Sequence, residues 1–204
     1  MEQCNDIMAA PTPLILASTS RYRRELLERL RLPFEVRAPR VDEASHAGEA
    51  PVALARRLAL AKAHDVATDA PEAVVIGSDQ VAELDGAAVG KPHTHERARA
   101  QLRAMSGRSV LFHTAVAVVC KQRGFAEAAL ATVVVRFRAL ADAEIERYLQ
   151  LEQPYDCAGS AKSEALGIAL LAAIESDDPT ALIGLPLIRT CALLRGAGLD
   201  PLSP

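Results

Sequence analysis

The sequence predicts an α/β domain, because short apolar strands alternate with helices along the chain. Leu14–Ala17 is a short apolar run, and a helix follows over residues 21–30. Residues 51–70 form a long helix rich in Ala and Leu, opened by a proline, and three β-branched residues at 74–76 then form a buried strand. Half of the 204 residues are hydrophobic but only 3% are aromatic, which predicts an aliphatic core. The length indicates one domain, with or without a pronounced cleft.

The rest of the chain continues this alternation. Residues 34–37 alternate like a strand with one buried face, and residues 38–50 are irregular. Asp85-Gly86 marks a hairpin, and Thr94 caps a helix that ends near Met105. The later elements are strands at 109–119 and 126–137, a helix at 142–151, a strand or edge segment at 168–174, and a closing helical region from 178 that Pro186 divides.

Composition excludes several classes of protein. A net charge of −3 argues against a general binder of nucleic acid or of membrane surfaces. No apolar run approaches the roughly 20 residues of a transmembrane helix, and the acidic N-terminus lacks the apolar region of a signal peptide. Four separated cysteines without a C-x-x-C pair suit reduced thiols, which predicts a cytoplasmic protein. We expect a loose tail over residues 1–12 and a single domain over residues 13–204.

Three polar residues follow the strand at 74–76, where packing alone would place apolar ones. They are Ser78, Asp79 and Gln80. Ligands of α/β sheets collect beyond the carboxyl ends of strands, and a carboxylate there can hold a metal or accept a proton. Taken alone, the stretch is better explained by a strand followed by an Asx-type turn. The remainder of the chain favours the functional interpretation.

Arginines crowd the first turn of the helix at 21–30. Arg21, Arg23 and Arg24 lie where the helix macrodipole disfavours cations. The arrangement is explained if an anion binds beside them, since helix N-termini offer N–H donors to phosphate. The alternative is an exposed basic face. The hydroxyl-rich loop at 18–20 favours phosphate binding.

Further charged residues lie in loops or on one helix. Asp42 and Glu43 are adjacent loop acids, which are either solvated or suitable magnesium ligands. Lys62 extends into solvent unless its helix faces the cleft, whereas Lys91 lies on a short, stiff connector. The two histidines at 93 and 95 are expected to face solvent, since no further His or Cys lies nearby.

A small-residue loop at 157–164 completes this set, because it adds Lys162 and Glu164. Cations that bind anionic oxygens, beside acids that bind a metal, are the groups that phosphoanhydride hydrolysis requires. The chain contains neither a P-loop motif nor G-x-S-x-G. The residues therefore predict a metal-assisted phosphate hydrolase.

Seven short motifs, in order, resemble those of the Maf nucleotide pyrophosphatases. They are LASTSRYRRELL at 16–27, VDE at 41–43, KA at 62–63, GSDQ at 77–80, GKP at 90–92, SG at 106–107 and AGS at 158–160. No single motif is specific, but together they cover about residues 13–198.

The resemblance implies a mixed twisted α/β sheet flanked by helices, with a deep central cleft, related to inosine-triphosphate pyrophosphatases. It implies a homodimer that hydrolyses a nucleoside triphosphate to the monophosphate and diphosphate with Mg²⁺ or Mn²⁺, and no nucleic-acid polymer or membrane as partner. The residue roles carried over are Asp79 as proton acceptor, Ser18, Arg23, Lys62 and Lys91 for phosphate, Glu43 and Asp79 for metal, and Gln80 for specificity.

Two departures from the commonest Maf pattern resemble the branch that hydrolyses 7-methyl-GTP. Tyr22 is aromatic at the first position, where that branch typically has Trp, and Glu164 stands where the dTTP and UTP branch has glutamine. An aromatic face can hold the cationic 7-methylguanine, and a carboxylate accepts from its N–H donors. The alternatives are a pyrophosphatase for dTTP, UTP or another non-standard nucleotide, and a non-enzymatic nucleotide-binding regulator of septum formation.

Overall fold

A seven-stranded mixed sheet forms the centre of the protein, in a computed structural model that describes residues 12–203. The strands are β1 Leu14–Ala17, β2 Glu35–Arg37, β3 Val74–Leu84, β4 Ala87–Val89, β5 Ser109–Cys120, β6 Phe125–Phe137 and β7 Leu171–Glu175. The α-helices are α1 Arg21–Glu28, α2 Pro51–Asp69, α3 His95–Met105, α4 Asp142–Glu152 and α5 Leu187–Gly196. The strand order is β2-β1-β3-β5-β6-β7; β2, β1 and β3 are parallel and the other pairs are antiparallel. The predicted fold class is confirmed.

Alternating side chains of the sheet enter different layers of an aliphatic core. Ile15 packs against α2 on one face, whereas the next residue, Leu16, packs with Leu27 of α1 and Leu194 of α5 on the other. A third cluster, at the far end of that second face, joins α3 and α4 to β5 and β6. Because side chains alternate along β3, Asp79 lies on the α2 face and Gln80 on the opposite one.

Gly77 allows α2 to lie unusually close to β3. A Cβ atom at this position would lie 2.2 Å from the carbonyl oxygen of Ala59 and 2.6 Å from the nitrogen of Ala63, both in α2. Only glycine permits this approach without displacing the helix. The contact fixes the turn of α2 that carries Lys62 directly over the middle of β3.

One edge of β3 changes neighbours partway along the strand. β5 pairs with one edge, whereas β1 pairs with residues 74–77 and β4 with residues 82–84 on the other. Among the described residues, no strand pairs with residues 78–81 on this second edge. The sheet is therefore open there, and side chains from both of its faces border the opening.

Some local expectations were wrong. Ser78, Asp79 and Gln80 do not follow the strand: they lie within β3, because pairing with residues 114–116 of β5 keeps the backbone extended. β2 has no buried face, because among the strands of residues 12–203 it is an edge strand that pairs only with β1, and its Val36 is exposed. The strand predicted at 168–174 begins only at Leu171, after a 3₁₀ turn. The predicted tail lies, apart from residue 12, outside the described residues, and the domain limits stay a prediction.

Candidate active site

A cleft of about 640 Å³ opens at the unpaired edge of β3. Its wall is formed by the loop between β1 and α1 with the start of α1, the loop before α2 with one face of α2, the middle of β3, the end of β4 with the loop after it, and the segments at 156–164 and 182–184. Every site residue that the family resemblance supplies lines it, whereas Arg24, Asp42 and Lys162 do not. The site residues that line it are Ser18, Tyr22, Arg23, Glu43, Lys62, Asp79, Gln80, Lys91 and Glu164.

Lys62 joins two carboxylates at the floor of this cleft. Its Nζ lies 2.7 Å from Asp79 Oδ1 and 2.6 Å from Glu43 Oε1. Lys62 and Asp79 are buried, whereas Glu43 is more exposed. Burial opposes ionisation of Glu43, but the hydrogen bond and charge of Lys62, with help from Lys91 and Arg23, hold the pKa of Glu43 below its usual value. Two acids from distant parts of the chain thus converge on one ammonium group.

The three arginines at the start of α1 have different environments. Arg23 donates from Nε to the carbonyl oxygen of Gly184 at 2.9 Å and from Nη1 to Ser18 Oγ at 3.5 Å. Desolvation lowers the pKa of Arg23, although Asp79 and Glu43 oppose the shift. Arg24 instead pairs with Glu28 on the exposed face of α1. The predicted basic cluster therefore contributes Arg23 to the cleft and leaves Arg24 in solvent.

The N-terminus of α1 also borders the cleft. Ser20 is its N-cap and accepts from the Arg23 backbone N–H, while Ser18 Oγ accepts from the Ser20 N–H at 3.1 Å. Backbone N–H groups at such a helix end attract anions. Lys91, exposed at the rim, faces the same space and is near enough to Glu43 to lower its pKa. Together these groups can bind an anionic chain of phosphates.

Gln80 fixes a wall of the cleft. Its Nε2 lies 3.0 Å from the carbonyl oxygen of Ala181, 2.9 Å from that of Leu182 and 2.9 Å from Thr114 Oγ1. The amide N–H₂ therefore holds against β3 the 3₁₀ turn at 181–183, of which Leu182 and Ile183 line the cleft. The specificity role predicted for Gln80 stays a prediction; these contacts show how the residue can shape the cleft without touching the base.

The opposite end of the cleft carries an aromatic ring and two exposed acids. The guanidinium carbon of Arg21 lies 4.8 Å from the centroid of the Tyr22 ring, and its Nη2 donates to the Tyr22 hydroxyl at 3.1 Å. Cys157, whose thiol pKa is raised to about 12 chiefly by burial, lies beside that hydroxyl. Glu164 is exposed and makes no ion pair with a described residue. Asp156 lies 3.8 Å from the ammonium group of the buried Lys162.

Sequence reasoning missed two residues that shape the site. The carbonyl oxygen of Gly184 accepts from both Arg23 and Ser78, so a backbone atom positions the arginine. Asp156 lines the cleft next to Tyr22. The AGS motif at 158–160 could have drawn attention to Asp156, whereas nothing in the sequence marks a carbonyl oxygen.

Glu43 and Asp79 supply part of the coordination that a divalent cation needs. Glu43 and Asp79 converge on one point, but the described residues contain no group of three His, Cys, Asp or Glu side chains that could hold a metal ion. Mg²⁺ is commonly held by one or two carboxylates, with waters and substrate phosphates completing its coordination. This pair of carboxylates fits a cation of that kind. His95 bonds to Tyr155 and Glu146, and it does not line the cleft.

A family model for Maf-like proteins matches residues 13–197. The chain belongs to the Maf family. A protein of Albidiferax ferrireducens named 7-methyl-GTP pyrophosphatase is 66% identical over 189 residues, which are 93% of this chain and 95% of that protein. A Polaromonas protein of the same name is 66% identical over 92% of this chain and 85% of its own length. One from Bordetella pertussis is 58% identical over 96% of this chain and 97% of its own.

In this Maf chain the match extends from β1 to α5, so it includes every element that borders the cleft. Across residues 12–203, no helix is both long and apolar enough to cross a membrane. The cysteines of that part of the chain, Cys120, Cys157 and Cys191, form no disulfide bond.

Proposed function

We propose that this Maf chain hydrolyses 7-methyl-GTP to 7-methyl-GMP and diphosphate with a divalent cation, Mg²⁺ or Mn²⁺. The observation that carries the proposal is that one cleft holds a buried acid–lysine pair at one end and Tyr22 with Glu164 at the other. The relatives that share 58–66% of its residues over most of the chain carry the name of this activity. A phosphate-binding floor and a base-binding rim are what a nucleotide pyrophosphatase needs.

At the floor, Asp79 acts as the proton acceptor. Its Oδ1 is bonded to Lys62, so Oδ2 is available to take a proton from a water that attacks the α-phosphorus. Arg23, Lys91 and the N-terminus of α1 bind the triphosphate and stabilise the charge that builds on its oxygens. Glu43 and Asp79 would hold the divalent cation, which supplies positive charge to the phosphates.

At the rim, Tyr22 and Glu164 select the base. The Arg21 guanidinium already lies over the Tyr22 ring, so the face of this ring accepts a planar cation. A 7-methylguanine base is also a planar cation and would gain about 0.5–2 kcal/mol from the same contact. The carboxylate of Glu164 only accepts hydrogen bonds, and guanine presents two adjacent donors to it. Uracil and thymine place carbonyls on both sides of their one donor, which a carboxylate repels.

The test compares hydrolysis of 7-methyl-GTP, GTP, UTP and dTTP by the wild type and Glu164→Gln, with and without a chelator. We expect the wild type to prefer 7-methyl-GTP and to need the cation. Because a hydrogen bond to a charged group contributes about 1.5–3 kcal/mol, the preference over UTP should fall at least about tenfold in Glu164→Gln. Glu127→Gln, a change on the exposed part of β6, is the matched control.

Equal rates on all four nucleotides by both proteins would contradict the assignment of the base. Binding of nucleotide without release of diphosphate would contradict enzymatic activity and support a regulator instead. Preference for UTP or dTTP in the wild type would assign the chain to the pyrimidine branch.

We also propose that the protein works in the cytoplasm as a homodimer. The unpaired thiols of the described cysteines support a reducing compartment, and resemblance to the family supports the dimer. Light scattering coupled to size-exclusion chromatography tests the dimer: a mass of about 21.7 kDa, that of one chain, would contradict it.

A further inference from the structure

We infer that the ammonium group of Lys62 occupies the cation position between Glu43 and Asp79 in the nucleotide-free protein, so that a divalent cation binds this pair only together with nucleotide. The inference rests on the proposed function for the identity of its ligands. It assigns Lys62 a role in the order of binding, besides contact with phosphate.

The geometry of the ion pair supports the inference. Lys62 Nζ lies within 2.7 Å of one oxygen from each carboxylate, Asp79 Oδ1 and Glu43 Oε1. A magnesium ion bound to both oxygens would lie about 2.0–2.1 Å from each, and so would need the space between them that this nitrogen occupies. The ammonium group therefore stands where the carboxylates would hold a metal, and the two cations exclude each other.

Burial makes the exclusion effective. The Lys62 side chain is 6% exposed and the Asp79 side chain 11%, so water screens this pair poorly. Leu54 and Leu58, which lie on α2 with Lys62, line the same cleft. A metal ion that enters alone must break both bonds of the ammonium group and leave a buried cation without its partners, which is strongly unfavourable.

The backbone cannot relieve this conflict. The close packing of Gly77 against Ala59 fixes α2 on β3, so the helix cannot carry Lys62 away from Asp79 and the side chain of Lys62 must move instead. Its route leads into the cleft, where Arg23, Lys91 and the α1 N-terminus would hold the triphosphate. The phosphates offer the ammonium group a new anionic partner at the moment when the carboxylates become available to the metal. Metal and nucleotide should therefore favour each other's binding, and this coupling is reciprocal.

The experiment measures Mn²⁺ binding to the nucleotide-free protein by electron paramagnetic resonance, for the wild type, Lys62→Met and Lys62→Gln. We expect the wild type to bind Mn²⁺ weakly and both variants to bind one Mn²⁺ at least tenfold more tightly. Simple damage to the fold would weaken metal binding, so a gain in affinity is specific to the proposed role. Circular dichroism confirms that the variants are folded.

Lys91→Met is the matched control, because Lys91 also lines the cleft and acts on Glu43 through its charge without lying between the carboxylates. It should change the affinity for Mn²⁺ alone less than about threefold. A second titration adds the α,β-methylene analogue of GTP, with Mn²⁺ binding by the analogue in solution subtracted. The analogue should strengthen Mn²⁺ binding by the wild type at least tenfold and that by the two Lys62 variants much less.

Equal Mn²⁺ affinities of the wild type and the Lys62 variants would overturn the inference. A wild type that binds one Mn²⁺ per chain at micromolar concentrations without nucleotide would also overturn it, whether or not the variants fold. These readouts do not need turnover. Absence of diphosphate release with the coupling intact would contradict only the proposed function, and hydrolysis of 7-methyl-GTP without the coupling would contradict only this inference.

Discussion

The two ends of the cleft are built differently. At the phosphate end, Ser18, Lys62 and Asp79 are each less than 8% exposed; Lys62 lies in α2, Asp79 in β3, and Ser18 in the short loop between β1 and α1. At the base end, Tyr22 is partly exposed, whereas Asp156 and Glu164 are exposed side chains on a loop. The first group is held by packing and hydrogen bonds, whereas the second has few contacts.

Because of this difference, changes that affect the reaction and changes that affect nucleotide specificity have different consequences for the fold. The position of Lys62 depends on α2 lying against Gly77, so a change at the phosphate end disturbs the core as well as the reaction. Glu164 can be replaced with little effect on the fold, because no described side chain pairs with it. A family that keeps one reaction and varies the nucleotide can therefore do so through exposed residues at the base end.

The largest loss of activity is expected at the phosphate end, from Asp79→Asn. The amide cannot accept the proton from water, so we expect turnover to fall by about 10²–10⁴-fold, while binding of the α,β-methylene analogue of GTP changes only a few-fold. Diphosphate release measures the first effect and calorimetry the second. The exposed Asp69→Asn is the control and should retain full activity. An active Asp79→Asn enzyme would refute the role of Asp79.

A smaller effect is expected at the base end, from Tyr22→Leu. Loss of a cation–π contact of about 0.5–2 kcal/mol should lower kcat/KM for 7-methyl-GTP by roughly 2- to 30-fold, because 1.4 kcal/mol is tenfold. GTP, whose base is uncharged, should lose much less. Tyr22→Phe keeps the ring and serves as the control, and Tyr22→Trp should improve kcat/KM for 7-methyl-GTP. Equal losses for both nucleotides would show that Tyr22 acts only through shape.

The sequence predicted which residues meet in the cleft better than it predicted how each is held. The order of the motifs predicted that Glu43, Lys62 and Asp79 share one site, because only a few residue types can bind phosphates and the metal beside them. The sequence could not predict that β3 continues through Ser78 and Asp79, since the apolar run ends where the side chains begin to face the cleft. Extension of the strand depends on pairing with β5, which is a tertiary contact.

Contacts made by backbone atoms are a second limit. Arg23 is positioned by the carbonyl oxygen of Gly184, which is 161 residues away along the chain. Every residue has a carbonyl, so no residue type marks this one. For the same reason, the sequence could not distinguish Arg23 from Arg24, because the direction of each side chain depends on where α1 packs.

The smallest effect on activity is expected for a change in the irregular segment before α2. Glu43 lies in this segment, outside any helix or strand. Glu49 anchors the residues that follow Glu43 to α2, because its carboxylate pairs with Arg57 at 2.7 Å and accepts from the His46 N–H at 3.0 Å. The hydrogen bonds of Arg57 and then His46 lower the pKa of Glu49 to about 2. Glu49→Gln should loosen this loop and raise the KM for nucleotide about two- to threefold with kcat nearly unchanged, since a partly exposed ion pair contributes little.

The same pair makes a pH-dependent contribution with a defined sign. The pKa of Glu49 is lower in the folded protein than its ordinary value of 4.5, so the pair stabilises the fold above about pH 4.5 and loses this effect as the pH falls towards about 2. Thermal unfolding should therefore show a lower melting temperature for Glu49→Gln at pH 7 and a shrinking difference below pH 4.5. Glu35→Gln, which removes an exposed pair with Arg37, should leave the KM unchanged. A difference that stays the same on acidification would mean that Glu49 stabilises the loop through its shape and not through its charge.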